Sequence, residues 1–187
     1  MTNDVKLQGV IKSDFTFSHA LYGEKFYNVT LLVKRDSGKD DLIPALVSER
    51  LIDVTESCIN KRVFLRGQFR SHNQHEETKT TLKLYVFVTE IIITDEVKDV
   101  NDVFLEGCLC KTPTYRHTPL GREISDMLLD VNRSYNKSDY IPCIAWGRNA
   151  RFVKSLKVGD FITISGRIQS REYQKKLSFS KKKIDYF

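Results

Sequence analysis

Apolar and polar positions alternate along this chain in short runs separated by Gly, Pro, Asn, Asp and Ser, the pattern of strands with one buried face. The runs predict strands at Val5–Lys12, Lys25–Lys34, Leu42–Val47, Arg62–Arg70 and Leu82–Ile93. A second series follows at Val103–Cys110, Glu123–Val131, Tyr140–Trp146, Phe161–Ser170 and Leu177 to Phe187. A turn-rich stretch ending at Gly23 or at Thr118-Pro119-Leu120-Gly121 separates the first two strands of each series, and His19 and His117 fall in these matching turns. Between the third and fourth strands the apolar period lengthens. Leu51, Ile52, Val54 and Ile59, and later Ala150, Phe152, Val153 and Leu156, suit one short amphipathic helix per series. Ser71–Thr81 reads as a polar loop.

The two series are copies. Val5-Lys6-Leu7-Gln8-Gly9 matches Val103-Phe104-Leu105-Glu106-Gly107 at an offset of 98. The offset holds at His19/His117, Gly23/Gly121, Val33/Val131, Arg35/Arg133 and Ile43-Pro44/Ile141-Pro142, then slips to 99 where Val63–Gly67 matches Ile162–Gly166. A register kept over so many positions predicts two units of one domain: residues 1–96, a short charged linker at 97–102, and residues 103–187. Three strands, a helix and two strands, with Gly in the first and fourth strands where a small sheet coils, is the order of a five-stranded Greek-key barrel, the OB-fold. The fold class is therefore all-β, two tandem OB-fold barrels. Gly9, Gly67, Gly107 and Gly166 take structural roles. The linker lacks the Gly and Ser of a floppy tether, so the barrels are expected to sit close together.

Charge changes this picture because of where it lies. Residues 1–98 hold 14 Lys/Arg and 14 Asp/Glu, whereas residues 99–187 hold 16 and 10, so the net charge of +6 belongs wholly to the second half. A polyanion partner for that half accounts for the asymmetry, and so does a surplus of solubilising lysine. No apolar run reaches the length of a membrane span, and Met1–Lys6 shows no signal-peptide pattern, which predicts a cytoplasmic protein. Cys58, Cys108, Cys110 and Cys143 read as reduced thiols, and Cys108-Leu109-Cys110 with His117 lacks the spacing of a zinc site. Asp126 and Asp130 are spaced by four along a strand rather than gathered, so no catalytic group, metal or cofactor is expected.

Asp139–Gly147 carries the candidate chemistry. Tyr140, Pro142, Ile144 and Trp146 share one face of a strand, and Ile141, Cys143 and Ala145 share the other. Such a strand is either buried on both faces, with Trp146 in the core, or uses one face as a platform. Arg133, Arg148 and Arg151 flank it, and rings beside cations suit stacked bases and phosphates.

The second copy resembles the bacterial single-stranded DNA-binding protein family. The likeness is carried by Val103–Gly107, Thr118-Pro119-Leu120-Gly121, Asp139–Gly147 and Val158-Gly159-Asp160 through Gly166–Arg171, and runs from about Val103 to Tyr173. It implies an OB-fold that wraps single-stranded DNA without sequence preference during replication, recombination and repair. The family stacks bases on aromatics at places that hold Tyr135, Tyr140, Trp146 and Tyr173 here. Phosphate contacts are assigned to Arg133 and Arg171, each two positions from a proposed ring, then to Arg116, Arg148, Arg151 and Lys175. Lys181-Lys182-Lys183 reads as a solvated edge.

The first copy departs from the family at all four ring positions, which hold Ser37, Leu42, Ser48 and Gln74. Phe15, Phe17, Tyr22, Phe26 and Tyr27 supply rings elsewhere and read as core. The first barrel is thus expected to be a structural or assembly copy. The family usually carries a Gly/Pro/Gln-rich tail with an acidic end, and this sequence stops at Ile184-Asp185-Tyr186-Phe187. The expected function is non-enzymatic single-strand binding in the cytoplasm of a bacterial or phage-type system, with the nucleoid. A homodimer would restore the family's four barrels, and other replication or repair proteins are expected partners. The competing reading is a replication accessory or loader protein that uses its barrels for protein contacts.

Overall fold

The computed structural model describes residues 2–76 and 79–171 of the 187-residue chain. The first series forms β1 (Asn3–Ile11), β2 (Thr16–Leu21), β3 (Glu24–Lys34), β4 (Asp40–Ser48), β5 (Arg62–Glu76) and β6 (Lys79–Ile93). β1 pairs with β3 and β5, β3 with β4, and β5 with β6, all antiparallel; β4 closes the ring by pairing with β6 in parallel. Every second residue of these strands turns inward, so Val5, Leu7, Val29, Leu31, Val33, Ile43, Val47, Val63 and Leu65 fill the centre. Gly9 allows β1 to cross β3 closely: a Cβ there would lie 2.2 Å from the Leu32 carbonyl oxygen. Its equivalent, Gly107, would bring a Cβ to 2.1 Å from the Asp130 carbonyl oxygen. Gly67 is confined in the same way by the Phe87 carbonyl, whereas a Cβ at Gly166 would meet nothing within 4 Å among the described residues.

The second series gives β7 (Val100–Leu109), β8 (Thr114–His117), β9 (Glu123–Arg133), β10 (Lys137–Trp146), α1 (Arg148–Val153) and β11 (Phe161–Gly166). β7 pairs with β9 and β11, and β9 with β8 and β10. The two tandem OB-fold barrels read from the sequence are present, although the expected last strand, Leu177 to Phe187, lies outside the described residues.

Four local expectations change. The helix expected over Leu51–Ile59 does not form. Its Asp53 carboxylate binds the Thr55 N–H at 2.9 Å and the Thr55 hydroxyl at 2.6 Å, and Asp, Thr and Ser side chains of this kind compete with helical hydrogen bonds. The turn-rich stretches contain β2 and β8, so His19 and His117 sit on paired strands rather than in turns. The loop expected at Ser71–Thr81 is mostly ladder, because β5 and β6 stay paired from Ser71↔Leu84 out to Glu76↔Lys79. Phe17 and Tyr22 are exposed, not core.

The barrels are joined through β1 and β7, which pair antiparallel from Asn3↔Leu105 to Gln8↔Val100. Val5 faces Val103, its own equivalent at the offset of 98, and Leu7↔Asn101 is the mate of Asn3↔Leu105. A two-fold pseudo-axis therefore passes through the Val5/Val103 pair. Asn3 and Asn101 repeat one device on either side. Each side-chain amide exchanges two hydrogen bonds with a backbone, that of Phe69 (2.7 and 2.7 Å) or Ile168 (2.8 and 2.9 Å), and so prolongs its barrel's ladder. The linker is tied down as well. Gln8 Nε2 donates to the carbonyls of Glu96 and Lys98, and Asp99 accepts from the Lys34 N–H and pairs with Arg62. Apolar packing is continuous across this seam, from Val5 and Val63 to Val103, Leu129 and Ile141.

Two fully buried carboxylates complete the joint. Asp41 of the first barrel accepts the Ser170 N–H of the second at 2.8 Å, while the Leu42 N–H donates to Ser170 Oγ at 2.9 Å. In mirror image, Asp139 accepts the Ser71 N–H at 2.9 Å and the Tyr140 N–H donates to Ser71 Oγ at 2.8 Å. Burial pushes the Asp41 carboxyl up, but hydrogen bonds from Arg35 and the Ser170 N–H, with the charges of Arg35 and Arg167, outweigh it and hold the group below the ordinary carboxylate value. Its contribution to stability is complete above that ordinary value and is lost as pH falls through the lower folded one. Asp41→Ala, which strands Arg35, should cost about 3–5 kcal/mol at neutral pH. In urea titrations the wild type should weaken below about pH 4 and the variant should show a smaller acid-side loss. An unchanged neutral midpoint for the variant would refute the clamp.

Candidate nucleic-acid interface

β10 has one face in the core and one in solvent. Ile141 and Ala145 are buried and Cys143 is half-buried, whereas Tyr140, Pro142, Ile144 and Trp146 are exposed. Tyr140 is 43% and Trp146 42% exposed, which removes the doubly buried reading of this strand. Burial pushes the Cys143 thiol on the inner face up to about 12, so it stays protonated at neutral pH.

Cross-strand register widens the outer face into a three-stranded surface, because directly opposed residues project to the same side. Trp146 stands opposite Ile124, which stands opposite Arg116; Ile144, Asp126 and Thr114 form the next row; Pro142 faces Leu128 and Tyr140 faces Asp130. Arg116 lies on this surface in a two-point contact with Asp126, at 2.6 and 3.2 Å. At one end Gly147, with φ 55°, turns β10 sharply into α1 and leaves Trp146 at the corner. α1 anchors itself through buried Ala150 and Val153, and the Ser125 hydroxyl donates to the Ala150 carbonyl at 2.8 Å.

At the other end the β9–β10 hairpin presents Tyr135, 95% exposed and at φ 64°. A bulky residue in left-handed backbone is uncommon, and packing does not account for this one.

The proposed cations fall into groups. Arg151 pairs with Glu123 at 3.2 Å and Arg116 with Asp126. Arg133 is drawn into the seam, with Nε 3.7 Å from Asp139 and its side chain 25% exposed. Arg148 and Arg171 are exposed and carry no ion pair among the described residues. Tyr173 and Lys175, with the Lys181–Lys183 run, lie outside the described residues.

The matching surface of the first barrel is occupied by its own side chains. Ser48, in Trp146's place, is buried and donates its hydroxyl to Glu24. Phe26, in Ile124's place, is covered by His19 stacked at 5.0 Å and by Phe87 at 5.9 Å, and the Arg70 guanidinium lies 3.7 Å over Phe87. Sequence reasoning missed this stack because it brings Phe87 of β6 and Arg70 of β5 onto the distant β2–β3 rings His19 and Phe26. It also missed the Asp41/Asp139 clamp, whose signal was present: both aspartates, like Arg35 and Arg133, repeat at the offset of 98, and Ser71 and Ser170 repeat at 99.

Comparison with known proteins shows what the second half is similar to. Residues 100–186 match the Single-strand binding protein family. The C-terminal half of the chain is similar to that family. Single-stranded DNA-binding protein A of Bacillus subtilis (strain 168) is 37% identical over 82 residues, covering 40% of this chain and 48% of that protein. Single-stranded DNA-binding protein 1 of Lactococcus lactis subsp. lactis (strain IL1403) is also 37% identical over 82 residues, covering 40% of this chain and 55% of that one. The chain thus spans about half the length of the curated relatives it matches. The likeness of fold reaches further. The crystal structure of wild-type single-stranded DNA binding protein from Thermus aquaticus superposes with a TM-score of 0.71 at 19% identity, covering 89% of this chain and 84% of that one, so both barrels share its architecture.

The half-exposed position of Trp146, the single tryptophan, has a direct spectroscopic consequence. Its emission should be that of a partly solvated indole, and acrylamide should quench it in the native protein. Blue-shifted emission resistant to acrylamide would place the ring in the core.

Proposed function

We propose that this chain binds single-stranded DNA without sequence preference and protects it during replication, recombination and repair, using the outer face of its C-terminal barrel. The observation that carries the reading is the open row Tyr140, Pro142, Ile144 and Trp146, extended by the outward ring of Tyr135. Each flat ring can stack one base, and every base has a π-face, so the platform holds nucleic acid without reading sequence. Tyr173, beyond the described residues, completes the ring set in this reading. Arg148 and Arg171, which have no ion pair among the described residues, are the readiest phosphate contacts. Arg116 and Arg151 would have to exchange Asp126 and Glu123 for phosphate, and Lys175 extends the same track.

In this reading residues 1–96 form a barrel whose role is assembly, residues 97–102 a linker and residues 103–187 the binding barrel. Its filled ring surface supports that division. A homodimer, with four barrels, is the proposed assembly; a sedimentation mass of 21.7 kDa for the free protein would exclude it.

Trp146→Ala and Tyr140→Ala should each weaken binding of oligothymidylate by about 1–3 kcal/mol, with similar losses on mixed-base oligonucleotides. Leu42→Ala, at the position matching Tyr140, should leave affinity unchanged. Equal losses from both barrels would spread the site over the whole chain. Wild-type binding weaker than micromolar would favour the reading as an accessory protein built for protein contacts.

A further inference from the structure

The joint between the barrels repeats about its pseudo-axis, but its two ends are not equivalent. At one end Arg35 is bound twice by Asp41, through Nε at 2.6 Å and through a second, shorter contact from Nη2. At the other, Arg133 comes no closer than 3.7 Å to Asp139 and its Nε is shut away from solvent without an acceptor. The neighbours differ too. Arg167 on the Asp41 side is exposed and solvated, whereas its counterpart region on the Asp139 side holds Arg70, half-buried. The Arg70 guanidinium lies over the Phe87 ring and donates to Gln68 Oε1 at 2.9 Å, and its Nε also lacks an acceptor. Burial first, and the charge of Arg133 second, push the Arg70 guanidinium below its ordinary value.

Two guanidinium groups, one from each barrel, thus lie within electrostatic reach of each other and of Asp139, and among the described residues each keeps a buried Nε–H unmatched. Buried donors left unpaired are costly, and two like charges in a partly desolvated seam repel. A single anion relieves both. The position is also telling: Asp139 precedes Tyr140, and the Tyr140 N–H is fixed by Ser71, the residue after Arg70. The platform therefore begins at the Ser71–Asp139 junction, with Arg70 next to Ser71 in sequence and Arg133 beside Asp139.

We propose that Arg70 and Arg133 form a composite anion site at the barrel seam, which takes a backbone phosphate of the single strand as it reaches Tyr140. The source of the phosphate rests on the single-strand reading above; the anion site itself does not. Planar guanidinium groups suit phosphate oxygens, and the site exists only while the barrels stay joined. The Asp41 end, already satisfied by Arg35, takes no phosphate.

The test uses the full chain and compares Arg70→Gln, Arg70→Lys and Arg167→Gln in two measurements. In salt titrations of oligothymidylate binding, Arg70→Gln should lower the slope of log affinity against log salt by about 0.7, one single-strand phosphate contact. Arg70→Lys should retain most of the slope, and Arg167→Gln should match the wild type. In the second measurement, inorganic phosphate should raise the thermal midpoint of the wild type above that in chloride at equal ionic strength, and this rise should vanish in Arg70→Gln. An unchanged slope and an unchanged phosphate response in Arg70→Gln would overturn the site, as would equal losses in Arg70→Gln and Arg167→Gln. A phosphate response that depends on Arg70, in a protein that does not bind oligothymidylate, would keep the anion site and remove the single-strand reading. Trp146 quenching by oligothymidylate with no dependence on Arg70 would do the reverse.

Discussion

The pairing of β1 with β7 is the constraint on which the rest of the structure depends. Each strand is the first of its barrel, already committed on one edge to the fourth strand of its own copy. Joining the free edges satisfies backbone groups that would otherwise face water, and it merges the two interiors along Val5, Val103 and Leu105. Because Val5 meets its own equivalent, every contact on one side implies a mate on the other. The paired asparagines and the exchanged Asp–Ser contacts follow from that one register.

The same geometry sets where the two barrels can differ. Inside the joint the asparagine and Asp–Ser contacts repeat with similar hydrogen-bond lengths, and only the arginines beside Asp41 and Asp139 differ. On the outer faces they diverge: one barrel leaves a row of rings open, and the other closes its surface with Phe26, His19 and Phe87. Arg70 is close to both zones, since it lies over Phe87 and precedes Ser71, which bonds Asp139 and Tyr140. The first barrel and the proposed binding surface are thereby in contact.

Much of this was legible in the sequence, because a repeat converts one pattern into two independent readings. The constant offset marked the tandem barrels, and the period of two along Tyr140–Trp146 marked the face that the structure leaves open. Local chemistry hid other features. Asp53 and Thr55 divert an apparently helical segment, and the polar residues beyond Ser71 gave no sign that the β5–β6 ladder would continue. Arg133 reads as a surface cation beside Tyr135, and only the packing of Asp139 against Ser71 draws it inward. Contacts of that range depend on which strands meet, and no single stretch of chain encodes that.

The short linker has a consequence of its own. With Gln8, Lys34 and Arg62 of the first barrel holding the linker, the two halves see each other at the effective concentration of an intramolecular reaction. Dilution therefore does not separate them, as it separates the subunits of an ordinary dimer. A symmetric dimer of identical chains must carry every substitution twice. Here one half can change while the other stays, so the two ends of a single joint are free to specialise.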